Sequence, residues 1–168
     1  CNGMNVKDFC LLKWENIDNN VITYKRAKTE RSTAEQKTIK VALKPESLEI
    51  IRKWGQPSID KTAFIFPHLT NEMSAKKQRD THKQLTKTMN KYTTQIATEL
   101  GINKPITSYY ARHSFATVLK RSGTGIEMIS ELLGHSNTIV TQNYLDSFEN
   151  YEIQKQTDAL TRGFEKLI

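Results

Sequence analysis

The sequence predicts a mostly α domain with one small antiparallel β-sheet, an α+β architecture. Three observations carry that expectation. Apolar residues recur at spacings of three and four over long stretches, two β-rich runs flank a polar insert, and glycines stand just past several helical patterns. The 168 residues, 37% hydrophobic and 26% charged, suit a single domain over 1–168 with a sizeable core. No apolar run approaches the ~18 residues of a membrane span, so no membrane partner is expected. The chain opens on Cys1 without a basic-then-apolar leader, as expected of a segment cut from a longer protein. Cys1 and Cys10 lie too near the amino terminus to staple a domain and form no C-x-x-C pair, which points to a reducing, cytoplasmic setting.

Val6, Phe9, Cys10 and Leu12 make an apolar stripe, so Met4 to about Trp14 reads as a helix. Val21 to Tyr24 is β-rich and Thr38 to Leu43 alternates Ile39, Val41 and Leu43 on one face, which predicts a hairpin over about 21–43. Its outer part is basic, with Lys25, Arg26, Lys28, Arg31, Lys37 and Lys40. Pro45 suits a first helical turn, Leu48 and Ile51 share a face, and Gly55 follows, so 45–54 is helical. Ala63 to Phe66 is a short buried piece before Pro67. Leu85, Met89, Tyr92, Ile96 and Leu100 then recur at helical spacing up to Gly101, predicting a long amphipathic helix. Thr107 can cap a helix over 108–122 that buries Ala111, Phe115, Val118 and Leu119. Thr124 to Glu127 reads as a capping box for a helix through Leu133, ended by Gly134. Ser136 can cap a short helix carrying Tyr144, and 146–168 forms a mildly acidic tail with Ile153, Leu160 and Phe164 on one stripe, expected to dock in cis or in trans.

The net charge of +7 favours a polyanionic partner, and it is concentrated. Between Lys76 and Lys91 six cations, Lys76, Lys77, Arg79, Lys83, Lys87 and Lys91, stand against Asp80. Lys83, Lys87 and Lys91 share a helix face, which reads either as a solvated face or as a surface tracking DNA phosphates. Lys25, Arg26 and Lys76 are the further DNA-binding candidates.

Three ordered motifs carry the chemistry: Ala111-Arg112-His113-Ser114-Phe115-Ala116-Thr117, Leu132-Leu133-Gly134-His135-Ser136, and Thr141-Gln142-Asn143-Tyr144, with Tyr144 nine residues after His135. Together with Leu11-Leu12-Lys13-Trp14 and the Lys28-Thr29 hairpin, they resemble the tyrosine recombinase, or phage integrase, family over essentially the whole chain. The resemblance implies that family's DNA breaking–rejoining catalytic-domain fold. It also implies cleavage and rejoining of double-stranded DNA by metal-independent transesterification through a 3′-phosphotyrosine, with no cofactor. Tyr144 would be the nucleophile, because a covalent phosphotyrosine conserves the bond energy. Arg112 would stabilise the charge on the non-bridging oxygens through its planar fork. His135 would bind the same phosphate or accept the tyrosine proton. Lys28, by resemblance, would protonate the leaving 5′-oxygen, with Lys25 the nearest competitor. No acidic cluster offers a magnesium site.

Two positions depart from the family pattern. Asn5 stands where its first Arg is usual, and Tyr109 replaces the His three residues before Arg112. Both can hydrogen-bond a phosphate oxygen, and their type looks similar to integrases of conjugative transposons and related mobile elements. Arg112 is then the one Arg that the motifs position, and Lys7 could compensate for Asn5. The family further implies a homo-oligomer on DNA, a tetramer for the full-length protein, with amino-terminal DNA-binding domains lying outside this segment and accessory DNA-bending proteins as possible partners. The alternative is an impaired relative that only binds DNA. His68 and His82 read as surface residues, and His113 as a packed structural one.

Overall fold

The computed structural model describes residues 1–27, 37–104, 106–135, 137–142 and 145. Its elements are α1 (Val6–Cys10), a 3-10 turn (Trp14–Asn16), β1 (Ile17–Asp18), β2 (Val21–Lys25), β3 (Thr38–Ala42), α2 (Pro45–Trp54), α3 (Ala75–Glu99), α4 (Tyr110–Arg121), α5 (Ile126–Leu133) and α6 (Thr138–Gln142). The expected α+β class stands.

The three strands run antiparallel in the order β1-β2-β3, with Ile22 opposite Val41 and Tyr24 opposite Ile39. Side chains alternate across the pleat, so Ile22, Tyr24, Ile39 and Val41 are buried on one face while Thr23, Lys25 and Lys40 point out. That face packs on Leu12, Ile65 and Phe66. Beside it Val6, Cys10, Phe64 and Leu69 form a second cluster, joined to the first through Phe9, whose ring lies 4.4 Å from that of Phe66. Ala116, Ile129 and Leu133 make a third cluster between α4 and α5.

Several expectations are corrected. The first helix stops at Cys10, because Leu12 turns to pair with the 63–65 segment: its carbonyl accepts from Ile65 N–H at 2.9 Å, and Trp14 N–H donates to Ala63 at 3.1 Å. That pairing buries Leu12 and Ile65 together, which a continued helix would not. Helix α4 opens at Tyr110 without a Thr107 side-chain cap. Asn90 on α3 does that work from outside, accepting from Ser108 N–H at 2.8 Å. The residues α4 buries are Arg112 and Ala116, whereas Ala111 and Val118 are exposed and Phe115 and Leu119 half-buried. Thr124 is not a cap either, since α5 starts after Gly125 and the Thr124 hydroxyl pairs with Ser122 at 3.2 Å. On α3 only Ala97 is fully buried, and Met89, Tyr92, Ile96 and Leu100 are exposed. Ser136, Tyr144 and the 146–168 tail lie outside the described residues; α6 itself is opened by Asn137, whose Oδ1 accepts from Val140 N–H at 3.1 Å.

Gly134 ends α5 in the left-handed conformation, φ +63°. A Cβ there would lie 2.3 Å from Ile39 Cδ1 and 3.1 Å from Arg26 Cδ, so only glycine lets α5 end against β3. Gly134→Ala should therefore cost about 2–5 kcal/mol, the left-handed penalty plus overpacking. Gly123→Ala, with φ +83° and open space around it, should cost only the first part, about 1–2 kcal/mol. Urea-unfolding midpoints compare the two directly.

Candidate active site

Arg112 is 3% exposed, although it carries a charge. Its Nη1 donates to the Gly3 carbonyl at 3.3 Å, and its Nη2 donates to the Leu133 carbonyl and to His135 Nε2, the latter at 3.1 Å. No described carboxylate is within salt-bridge distance of it, and its buried Nε has no hydrogen-bond partner among the described residues. Burial first, and then the charge of Arg26, draws its pKa down to about 10, so it remains cationic at neutral pH. A buried cation with an idle donor is unfavourable until an anion arrives.

The approach of Gly3 is as tight as that of Gly134. Its φ is +62°, and a Cβ would lie 2.6 Å from Arg112 Cα. Glycine is what lets the segment before α1 rest on α4 and present its carbonyl to the guanidinium.

His135, 3% exposed, follows Gly134 directly. Arg can only donate, so Nε2 accepts, the imidazole is neutral and Nδ1–H donates to Thr141 Oγ1 at 2.8 Å. Thr141, fully buried on α6, thereby sets the tautomer that faces Arg112.

Arg26 enters from the end of β2. Ile22 and Tyr24 face the core, and Arg26, next in that alternation, turns to the same side, donating from Nη1 to the Gly134 carbonyl at 3.4 Å. Its charge acts on Arg112 and on Asp8. The expectation of a single positioned Arg is therefore corrected: two guanidiniums converge. Asp8, 4% exposed, supplies the balancing charge. Its Oδ1 accepts from Ala27 N–H at 2.9 Å and its Oδ2 from Asn5 Nδ2 at 2.7 Å. Burial raises its pKa, and the Ala27 N–H, then Arg26, Lys7 and Arg112, pull it back.

Asn5 thus has a structural occupation. It is the N-cap of α1, its Oδ1 accepting from Asp8 N–H at 3.1 Å while its amide holds the Asp8 carboxylate. Lys7 Nζ donates to the Ala27 carbonyl at 3.2 Å, pinning the base of the hairpin.

A cavity of about 460 Å³ opens over Arg112, with Asn5 and Lys7 on one wall, Lys83 and Lys87 on another, and Tyr109 between. Tyr109 packs edge-on to His113, ring centroids 4.8 Å apart. Of the predicted site residues, Asn5, Tyr109, Arg112, Lys83 and Lys87 share this cavity, and His135 and Arg26 back it. Lys25, Lys76 and Lys91 are exposed and do not line it. Lys28 and Tyr144 lie outside the described residues. Among the described residues no group of three or more His, Cys, Asp or Glu gathers in a metal-binding arrangement. Asp8 and Gly3 were not singled out from the sequence, and Thr141 only as part of the third motif, as a residue shaping the helix that carries Tyr144. Only the position of Arg26, in step with Ile22 and Tyr24, had a readable signal.

Thr141→Val keeps the shape but strands the Nδ1–H of a buried imidazole. It should lower stability by about 1–3 kcal/mol. Thr141→Ser, which retains the acceptor, should recover most of the hydrogen-bond contribution, read as urea midpoints.

The sequence matches the description "Phage integrase family" over residues 2–150. It is 51% identical over 49 residues to a tyrosine recombinase XerD of Listeria monocytogenes serotype 4b (strain F2365), covering 29% of this chain and 16% of that protein. It is 38% identical over 77 residues to an integrase/recombinase of Escherichia coli, covering 46% of this chain and 22% of that protein. The XerA recombinase structure superposes with a TM-score of 0.60 at 20% identity, covering 94% of this chain and 54% of that one. The Tn1549 transposon integrase, in complex with circular intermediate DNA, gives 0.57 at 22% identity, covering 95% and 56%. The chain thus spans about half the length of these solved proteins, and its matches cover under a quarter of the two curated relatives. With the family match covering most of the sequence and the fold shared along nearly all of it, the chain belongs to the phage integrase family.

Proposed function

We propose that this chain is the catalytic domain of a site-specific tyrosine recombinase that cleaves and rejoins double-stranded DNA. The observation that carries the reading is Arg112, a buried guanidinium bound to two carbonyls and an imidazole, facing a cavity rimmed by Lys7, Lys83 and Lys87. That arrangement is suited to a phosphodiester: the fork binds non-bridging oxygens, and the rim attracts the flanking backbone. The solved relatives bound to DNA support the same partner, among them the Tn1549 integrase and a XerH recombinase on its difH substrate.

In the proposed reaction the Tyr144 hydroxyl attacks phosphorus, the P–O5′ bond breaks, and a 3′-phosphotyrosine forms. The tyrosine proton passes to His135 Nε2 as the Arg112 Nη2 donor leaves that nitrogen for the phosphate, and Lys28 donates a proton to the departing 5′-oxygen. Attack by a 5′-hydroxyl of another strand reverses these steps and rejoins the DNA, so no external energy source is required. Arg112 and Arg26 share the charge developing on the non-bridging oxygens. Arg26 takes the role that Asn5 leaves open, since Asn5 is engaged in capping α1 and holding Asp8. The docked tail at 146–168, a tetramer on DNA and a cytoplasmic, nucleoid-associated location belong to this reading as well.

A duplex nicked near the cleavage position traps the covalent intermediate. The wild-type chain should form a protein–DNA adduct and Tyr144→Phe none. Arg112→Ala and Arg26→Ala should each slow adduct formation by about a hundredfold or more, the usual cost of removing one transition-state donor. DNA binding without any adduct from the wild type would instead identify a binding module. Separately, Lys83→Gln with Lys87→Gln should lower the slope of log affinity against log salt by about two, one for each lost phosphate contact.

A further inference from the structure

His82 belongs to the cavity, where the sequence suggested only surface. It is half-buried on α3, one residue before Lys83, and it lines the same space as Asn5, Lys7, Tyr109 and Arg112. The groups that bear on its imidazole are cations: Lys7 from α1, and Lys83 and Arg79 from its own helix. Across the cavity stand Arg112 of α4 and Tyr109, the residue just before that helix. Among the described residues no carboxylate offsets them. Partial burial, and then these positive neighbours, hold its pKa below the ordinary histidine value, so the free protein keeps it neutral near pH 7.

Lysine at this position would add one more like charge to a crowded wall, whereas histidine can defer its charge until an anion is present. A phosphodiester in the cavity would place a negative charge among Lys7, Lys83 and Arg112. The repulsion felt by an imidazolium would then fall, and a new N–H donor would face the phosphate. Building on the DNA reading above, we propose that His82 is a phosphate-contacting residue that takes up a proton from solvent when DNA seats in the cavity. The sign follows from linkage. A group protonated more readily in the complex than in the free protein strengthens binding as pH falls through the interval between its two pKa values.

The test is the affinity of the 168-residue chain for a 30-base-pair duplex of arbitrary sequence, at constant ionic strength, from pH 8 to pH 6. Wild type, His82→Gln and His82→Lys are compared. One fully linked proton gives at most about tenfold per pH unit. Wild-type affinity should therefore rise at least about threefold more than that of His82→Gln across this range. His82→Lys, charged throughout, should show the flatter profile together with tight binding at pH 8. Comparison with His82→Gln removes the contributions of His68, His113 and His135, which all three chains share. Parallel profiles for wild type and His82→Gln, with DNA still bound, would overturn the assignment of His82 alone. Absence of binding by every chain at every pH would overturn the DNA reading and this inference with it.

Discussion

The buried guanidinium of Arg112 is the constraint around which the domain is arranged. Its donors are met by the carbonyls of Gly3 and Leu133 and by the imidazole of His135, groups drawn from the segment before α1 and from the end of α5. A carboxylate in that place would have satisfied the charge and closed the site. Neutral partners instead hold the side chain in one rotamer while leaving its charge available, which a residue awaiting a phosphate requires. Because two of those partners are backbone carbonyls, the position of Arg112 depends on close approaches of the chain, and glycine stands at Gly3 and at Gly134 beside them.

Electrostatic balance is achieved at one remove. Asp8 is not within salt-bridge distance of either Arg, yet its charge acts on both while its oxygens are held by Ala27 N–H and Asn5. The same contacts fasten α1 to the base of the hairpin just before Lys28. One buried carboxylate therefore links helix capping, hairpin placement and the field at the two guanidiniums. Further positive charge lines the cavity on α1 and α3, so the site presents a net attraction to an anion, and no described carboxylate is within salt-bridge distance of Arg112.

Helix α3 shows how a periodic pattern can be read correctly as helical and still mislead about burial. Its apolar positions recur as an amphipathic stripe, and the helix forms, but Met89, Tyr92, Ile96 and Leu100 remain exposed while the side carrying His82, Lys83, Thr86 and Lys87 faces the cavity. The helix is held at its ends and edges: Leu85 packs beside Leu69, and Asn90 holds the turn that leads into α4.

The sequence by itself determined the class of the fold, the hairpin, the long helix and the order of Arg112, His135 and Tyr144, because periodicity, β-branched alternation and motif spacing are properties of neighbouring residues. Even Arg26 was legible in principle, since it continues the inward alternation of Ile22 and Tyr24. Tertiary structure decided the rest. Helix α1 ends early because Leu12 is buried only by pairing with a segment some fifty residues away, at Ile65. Asn5 came to support the Asp8 carboxylate that receives the Ala27 N–H, Thr141 to keep the tautomer of an imidazole that meets Arg112, and His82 to wall the cavity. The Asn5 and Thr141 contacts are themselves local, but what they do for the site depends on residues far along the chain, as the place of His82 depends on a shared space. A single residue's chemistry states what it can bond to, and only the folded chain determines which of those bonds it makes.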